Sequence, residues 1–170
     1  MKPLWNWGRE VNEELEKAPW ADLSGRLTPD GHRLGVRVYF EDTDFSGLVY
    51  HTSYLRWCER GRSDFLRLRG IRHTDLAGGA FAGEPCAFAV RRIGAEFLKP
   101  AHIDEILEVH TKAGEVTKAS IVLNQAITRE GQAIFRLTAQ CVLIAAASRR
   151  LLRLPPALTS LLPKGANPGL

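Results

Sequence analysis

Val38-Tyr39-Phe40-Glu41-Asp42-Thr43-Asp44-Phe45-Ser46-Gly47-Leu48-Val49-Tyr50-His51 reads as strand, polar turn and helix start. Alternating apolar residues at Val36, Val38 and Phe40 suit a half-buried strand, and Asp42 to Gly47 has the composition of a turn. Beyond it, Tyr54, Cys58, Gly61, Phe65 and Leu68 recur at helical spacing, which predicts an amphipathic helix of roughly 18 residues closed by Gly70. Gly61 inside that stripe costs about 1 kcal/mol against Ala, so a close approach by a neighbouring element is expected there. The turn brings two titratable side chains, Asp44 and His51, to a helix N-terminus whose free N–H groups favour negative charge. A carboxylate beside such donors is a candidate reaction site.

Downstream, strand patterning occupies Ala87 to Phe97, Ile106 to Val116, Ala119 to Thr128 and Ala133 to Ala146, with a loop over Arg72 to Glu84. Glu130-Gly131 predicts a tight turn, so neighbouring strands are expected to be antiparallel. Phe135, Leu137, Ala139, Cys141 and Leu143 alternate as one face of a strand laid against a helix. A first strand, one helix and four more strands make an α+β domain in which a single sheet wraps one long central helix. That assigns residues 31–158 to the domain and 1–30 to an N-terminal extension. Residues 159–170 become a C-terminal tail, and Pro155-Pro156 before it and Pro163 within it are expected to stop regular structure. In the extension, Trp5, Trp7 and Trp20 surround a helix-prone segment from Glu10 to Lys17, the pattern of an arm packing on the domain or on a neighbouring subunit.

A chain of 170 residues with 45% hydrophobic and 25% charged residues is that of an ordinary globular domain. The net charge of +4 favours an anionic partner without choosing one. Cys58, Cys86 and Cys141 are odd in number and widely spaced, which indicates neither a disulfide framework nor a zinc site. Reduced thiols and the absence of a long apolar run predict a cytoplasmic protein without membrane insertion. Asp42, Asp44, Ser46 and Gly47 imitate the start of a calcium loop, but its twelfth position is Ser53 where a bidentate Glu is needed, so no metal is expected.

Glu41-Asp42-Thr43-Asp44 with Gly47, Val49-Tyr50-His51, Tyr54, Glu59-Arg60 and Arg62 resembles the signature of the 4-hydroxybenzoyl-CoA thioesterase family, particularly its YbgC type, associated with tol-pal genes. Phe88-Ala89-Val90-Arg91-Arg92, Glu96, Pro100 and Asp104-Glu105 extend the resemblance over about residues 35 to 158. It implies a hotdog fold, hydrolysis of acyl-coenzyme A thioesters without a cofactor, and assembly into homodimers or homotetramers. Asp44 matches the family's catalytic carboxylate, His51 its signature histidine, and Tyr50 supplies backbone at the same place. The family's tyrosine one residue before the acidic run is Phe40 here, and alternation along a strand would point Tyr39 to the other face.

In this reading, backbone N–H groups around Tyr50 and His51 polarise the thioester carbonyl, while Asp44 attacks it or activates water. Gly47 and Val49 shape the substrate loop. Arg91, Arg92, Lys99 and Lys118 are candidates for the coenzyme A phosphates. Glu59 and Arg62 are expected to form a helix ion pair three residues apart. Arg56, Arg60, Arg62, Arg67 and Arg69 are read as a solvated face, so no nucleic-acid partner is expected. The missing tyrosine keeps one alternative open, a non-catalytic hotdog protein that binds acyl-CoA or a protein partner.

Overall fold

The computed structural model describes residues 25–163, so Trp5, Trp7, Trp20 and the Glu10 to Lys17 segment lie outside the described residues. A short hairpin comes first, β1 (Arg26–Thr28) and β2 (Gly31–Arg37). Helix α1 (His51–Leu68) follows, then a short helix α2 (His73–Ala77). Four long strands come next: β3 (Cys86–Phe97), β4 (Ile106–Val116), β5 (Ile121–Arg129) and β6 (Gln132–Ala145). A two-residue strand β7 (Leu151–Leu152) and a one-turn helix α3 (Pro156–Thr159) complete the order. The strands form one antiparallel sheet in the order β1-β2-β4-β5-β6-β3. β7 pairs with Leu143 and Ile144 of β6, beyond the point where β5 stops at Cys141.

This is the α+β hotdog arrangement, with α1 cradled by the concave face of the sheet. Alternation does the sorting. Along β6, Phe135, Leu137, Ala139, Cys141 and Leu143 are buried while Arg136 and Thr138 are exposed. Along β5, Ile121, Leu123, Gln125 and Ile127 turn inward. From the helix, Tyr54, Trp57, Cys58, Phe65 and Leu66 meet them. Each fully buried large side chain, Trp57, Phe65 and Phe135 among them, contributes about 2 kcal/mol. Leu66 occupies the end of the stripe where Leu68 was expected, and Leu68 is only half-buried.

Gly61 shows why the stripe contains a glycine. A Cβ there would lie 2.9 Å from Val109 Cγ1, 3.1 Å from Thr111 Oγ1 and 3.3 Å from Gln125 Nε2. The helix therefore rests directly on β4 and β5 at its midpoint, the close approach that the sequence suggested.

Several expectations are corrected. β2, the strand expected to run on through Val38 and Phe40, ends at Arg37, and Phe40–Asp42 forms a 3-10 turn, because the Asp42 carboxylate and the Tyr39 carbonyl both engage nearby N–H groups and curl the chain. The Arg72 to Glu84 stretch contains α2, which sends Leu76 into the core. Pro155-Pro156 starts α3 instead of stopping regular structure, since proline's fixed φ suits a first helical turn, and Leu158 and Leu162 are buried. Glu59 and Arg62 form no ion pair. Glu59 accepts the Ser63 hydroxyl at 2.7 Å, and Arg62 is buried against Gln125 at 2.8 Å.

Candidate active site

Asp44 opens a tight turn. Its N–H donates to the Leu48 carbonyl at 2.9 Å, and the Gly47 N–H donates to the Asp44 carbonyl at 3.0 Å. Gly47 adopts φ 79°, a conformation that a side chain would strain. Thr43 and Val49 pair as an isolated antiparallel bridge below this turn, and Leu48 bridges to His102. The strap after β3 holds the loop from outside: the Val49 N–H donates to the Ala101 carbonyl at 2.9 Å, and the Ala101 N–H donates to the Tyr54 hydroxyl at 3.0 Å. Val49 is buried and anchors the loop in the core, while Asp44, Gly47, Tyr50 and His51 remain exposed.

The Asp44 side chain is oriented by Ser46, which the sequence reading missed. Its Oδ1 accepts the Ser46 hydroxyl and, at 2.8 Å, the Ser46 N–H. Those two donors, the hydroxyl first, hold the carboxyl below the usual aspartate range. It stays ionised at neutral pH, as a nucleophile or a base requires. An Asp followed two residues later by Ser in a turn is the signal that points to this contact.

Asp44 lines an open depression of about 420 Å³ with Phe40, Thr43, Phe45, Gly47 and Ile103. Phe40 therefore occupies the wall of the depression itself. Tyr39 faces elsewhere, into a groove with Leu34, Val36 and Arg60. The two residues still diverge, although by a 3-10 turn and not by strand alternation.

Asp42 plays a different part. It is buried, its Oδ2 accepts the Tyr39 N–H at 3.0 Å, and Arg56 stands 3.6 Å from Oδ1. Its carbonyl accepts the Tyr50 N–H at 2.8 Å and the Ser53 hydroxyl at 3.2 Å. The Tyr50 N–H is thus already committed. The free donors at the start of α1 are the N–H groups of His51 and Thr52, which find no acceptor among the described residues. They sit at the positive end of an 18-residue helix, where the macrodipole adds about half a unit charge. The His51 ring leans on the Tyr50 ring with centroids 4.3 Å apart and planes at 57°.

The four basic candidates do not form one cluster within the chain. Arg91 and Arg92 lie exposed on β3 at the irregularity between Val90 and Arg92. The Lys99 N–H donates to the Ile134 carbonyl at 3.1 Å, two residues before the Ala101 strap. Lys118 sits in the β4–β5 turn, where its carbonyl accepts the Leu154 N–H. Ile134 and Cys141 mark these two ends of β6, roughly 23 Å apart at about 3.3 Å per residue. Lys99 is the candidate beside the Asp44 loop; Lys118 is remote from it. The cysteines offer no alternative nucleophile: all three are buried, and burial pushes the Cys58 thiol up to about 12.

The model of the thioesterase-like superfamily matches residues 38–162. The chain is 40% identical over 95 residues to the acyl-CoA thioester hydrolase YbgC of Escherichia coli O6:H1, covering 56% of this chain and 67% of that one. It is 40% identical over 91 residues to the acyl-CoA thioesterase YbgC of Helicobacter pylori strain 26695, covering 54% of this chain and 62% of that one. A crystal structure of a probable thioesterase from Bartonella henselae superposes with a TM-score of 0.70 at 39% identity, over 73% of this chain and 98% of the other. Because that family match runs from residue 38 to residue 162, most of the chain, the protein belongs to the thioesterase-like superfamily.

Proposed function

We propose that the protein hydrolyses an acyl-coenzyme A thioester to the free acid and coenzyme A. The observation that carries this reading is the ionised, Ser46-oriented Asp44 in an open depression close in sequence to the unengaged N–H groups of His51 and Thr52. Those donors polarise the thioester carbonyl and gain strength as its oxygen becomes an oxyanion. Asp44 then acts in one of two balanced ways. As nucleophile it displaces the coenzyme A thiolate, forming an acyl–aspartyl anhydride that water opens to the acid; as base it takes a proton from water, which attacks directly. In both routes the departing thiolate ends protonated. The YbgC relatives named above act on acyl-CoA, which supports the substrate class.

The protein works as a homodimer or homotetramer in this reading. β3 is the last strand of the sheet and shows Val90, Ile93 and Phe97 to solvent, an unpaired apolar edge that a second copy would cover. Arg91, Arg92 and Lys99, on and after that edge, are the candidates for the coenzyme A phosphates in this reading, and their exposure supports it. No helix among the described residues is long and apolar enough to cross a membrane, and the three free thiols suit the cytoplasm.

A thiol-release assay over short, long and aromatic acyl-CoAs tests the reading. Turnover of at least one class well above the solvent rate is expected. Tight acyl-CoA binding without thiol release would favour the non-catalytic alternative, for which the exposed Phe40 in place of a tyrosine is the specific observation.

A further inference from the structure

Arg62 is a buried cation without a carboxylate. Its side chain belongs to the inward face of α1, directly after Gly61, and the residue is only 8% exposed. Its Nη1 donates to Gln125 Oε1 at 2.8 Å, and no acid among the described residues lies within ion-pairing distance. The two nearest acids on the helix are otherwise engaged. Glu59 accepts the Ser63 hydroxyl, and Asp64 holds His32, Arg67 and the Gly25 N–H.

Gln125 does not neutralise the charge. Its amide is fully used, Oε1 by Arg62 and Nε2 by the Cys58 carbonyl at 2.8 Å and Thr111 Oγ1 at 2.9 Å. A guanidinium has five N–H donors; Gln125 takes one, and no Arg62 nitrogen is buried without a partner, so the others remain accessible on the side of the cavity that Arg62 lines. Burying an ion without a counter-charge costs several kcal/mol, a cost that proteins normally remove with a partner. Replacing Arg by an apolar residue would avoid that cost altogether, so the charge calls for an explanation in binding.

Arg62 also borders a space. A cavity of about 80 Å³ lies between α1 and the β3–β5–β6 part of the sheet, walled by Leu66, Phe88, Val90, Ile121, Leu123 and Cys141. Glu59, Ser63 and His73 border it too, with the Ser63 hydroxyl donating to Glu59 at 2.7 Å and linked to the His73 ring at 3.1 Å. The apolar wall fits a few methylene groups, and the guanidinium fits an anionic end. Two wall residues, Phe88 and Val90, stand on the exposed edge strand, so the cavity communicates with the surface that the proposed dimer would cover.

We propose that this cavity is a carboxylate-binding site in which Arg62 pairs with a short aliphatic carboxylate. The proposal stands on the cavity and on a guanidinium that has no ion-pair partner, independently of hydrolysis; its link to the acyl-CoA reaction rests on the function proposed above. Two sources offer the same chemistry: a free short-chain acid, or the far end of an acyl group that carries a terminal carboxylate. A fork of two parallel N–H donors suits either.

Binding is tested on the full-length protein by thermal shift with sodium butyrate, against sodium chloride at equal ionic strength and against butyramide of the same shape. A concentration-dependent rise with butyrate alone is expected. The rise should vanish in Arg62→Met and in Cys141→Leu, which fills the cavity while leaving the cation in place, so the test survives even if Arg62→Met does not fold. Equal shifts with butyramide, or a butyrate shift retained in both variants, would overturn the proposal. The enzymatic arm compares succinyl-CoA with butyryl-CoA. A kcat/KM at least about tenfold higher for succinyl-CoA, lost in Cys141→Leu, identifies the acyl terminus as the source. Equal values together with the butyrate shift identify the free acid. If neither thioester nor any other is hydrolysed, the proposed function fails while the thermal shift still decides the site.

Discussion

The backbone N–H of Tyr50 donates to the carbonyl of Asp42 at 2.8 Å, tying the end of the acidic turn to the first residue before α1. This bond fixes which groups are free to react. It occupies the Tyr50 donor and leaves the His51 and Thr52 N–H groups as the candidate oxyanion donors of the proposed reaction. It also makes Asp42 a structural residue, because its carboxylate accepts the Tyr39 N–H and so caps the same turn. Asp42→Ala should lower unfolding free energy by about 1–2 kcal/mol, the usual cost of losing a capping carboxylate, read from denaturant titration. If stability were unchanged and kcat collapsed, Asp42 would belong to the chemistry instead.

Ser46 sets the ionisation of Asp44. Its hydroxyl and N–H keep the carboxyl below the ordinary aspartate range, so the carboxylate form persists as pH falls. Ser46→Ala removes the larger of the two effects, raises the Asp44 pKa and should move the acid limb of kcat/KM to higher pH. Activity at neutral pH should change far less, since the carboxylate is ionised there in both proteins. An acid limb that did not move would separate it from Asp44.

Gly61 is a packing residue. Adding a methyl gains about 1 kcal/mol of helix propensity but forces it to 2.9 Å from Val109 Cγ1, where overpacking costs about 1–3 kcal/mol. Gly61→Ala should therefore destabilise by about 1 kcal/mol, measured by the shift in the denaturation midpoint. A more stable variant would show that α1 has room to lift off the sheet.

The helix and its glycine were legible because period and composition act locally. Tyr54, Cys58, Gly61 and Phe65 fall on one face whatever surrounds them, and the four long strands announce themselves by alternation. β1, β7, α2 and α3 are too short to show a period, and only packing of residues such as Leu76 and Leu158 gives them away. At the site, Asp44 and His51 stood out through their spacing and family pattern. The commitment of the Tyr50 N–H did not, because its acceptor is a backbone carbonyl eight residues away that only the folded turn brings near. Arg62 was misread as a surface ion pair, although its place between Gly61 and Phe65 on the buried stripe carried the warning.

Phe40 tests how much the site needs a hydroxyl. It lines the Asp44 depression and is 82% exposed, so a tyrosine there would fit without repacking. Phe40→Tyr should alter kcat by less than about threefold if His51, Thr52 and Asp44 supply the essential electrostatics. A large gain in kcat at unchanged KM would show that the natural protein lacks a transition-state interaction.

The proposed hydrolysis makes turnover depend on the Asp44 carboxylate. Asp44→Asn keeps the shape of the turn and an oxygen for Ser46, but removes the charge that attacks or deprotonates. With the most active acyl-CoA, its kcat should fall by at least about 100-fold, the low end for losing a positioned acid–base group, with acyl-CoA affinity and the unfolding midpoint nearly unchanged. Near-normal turnover by Asp44→Asn would mean that this carboxylate neither attacks the thioester nor activates water.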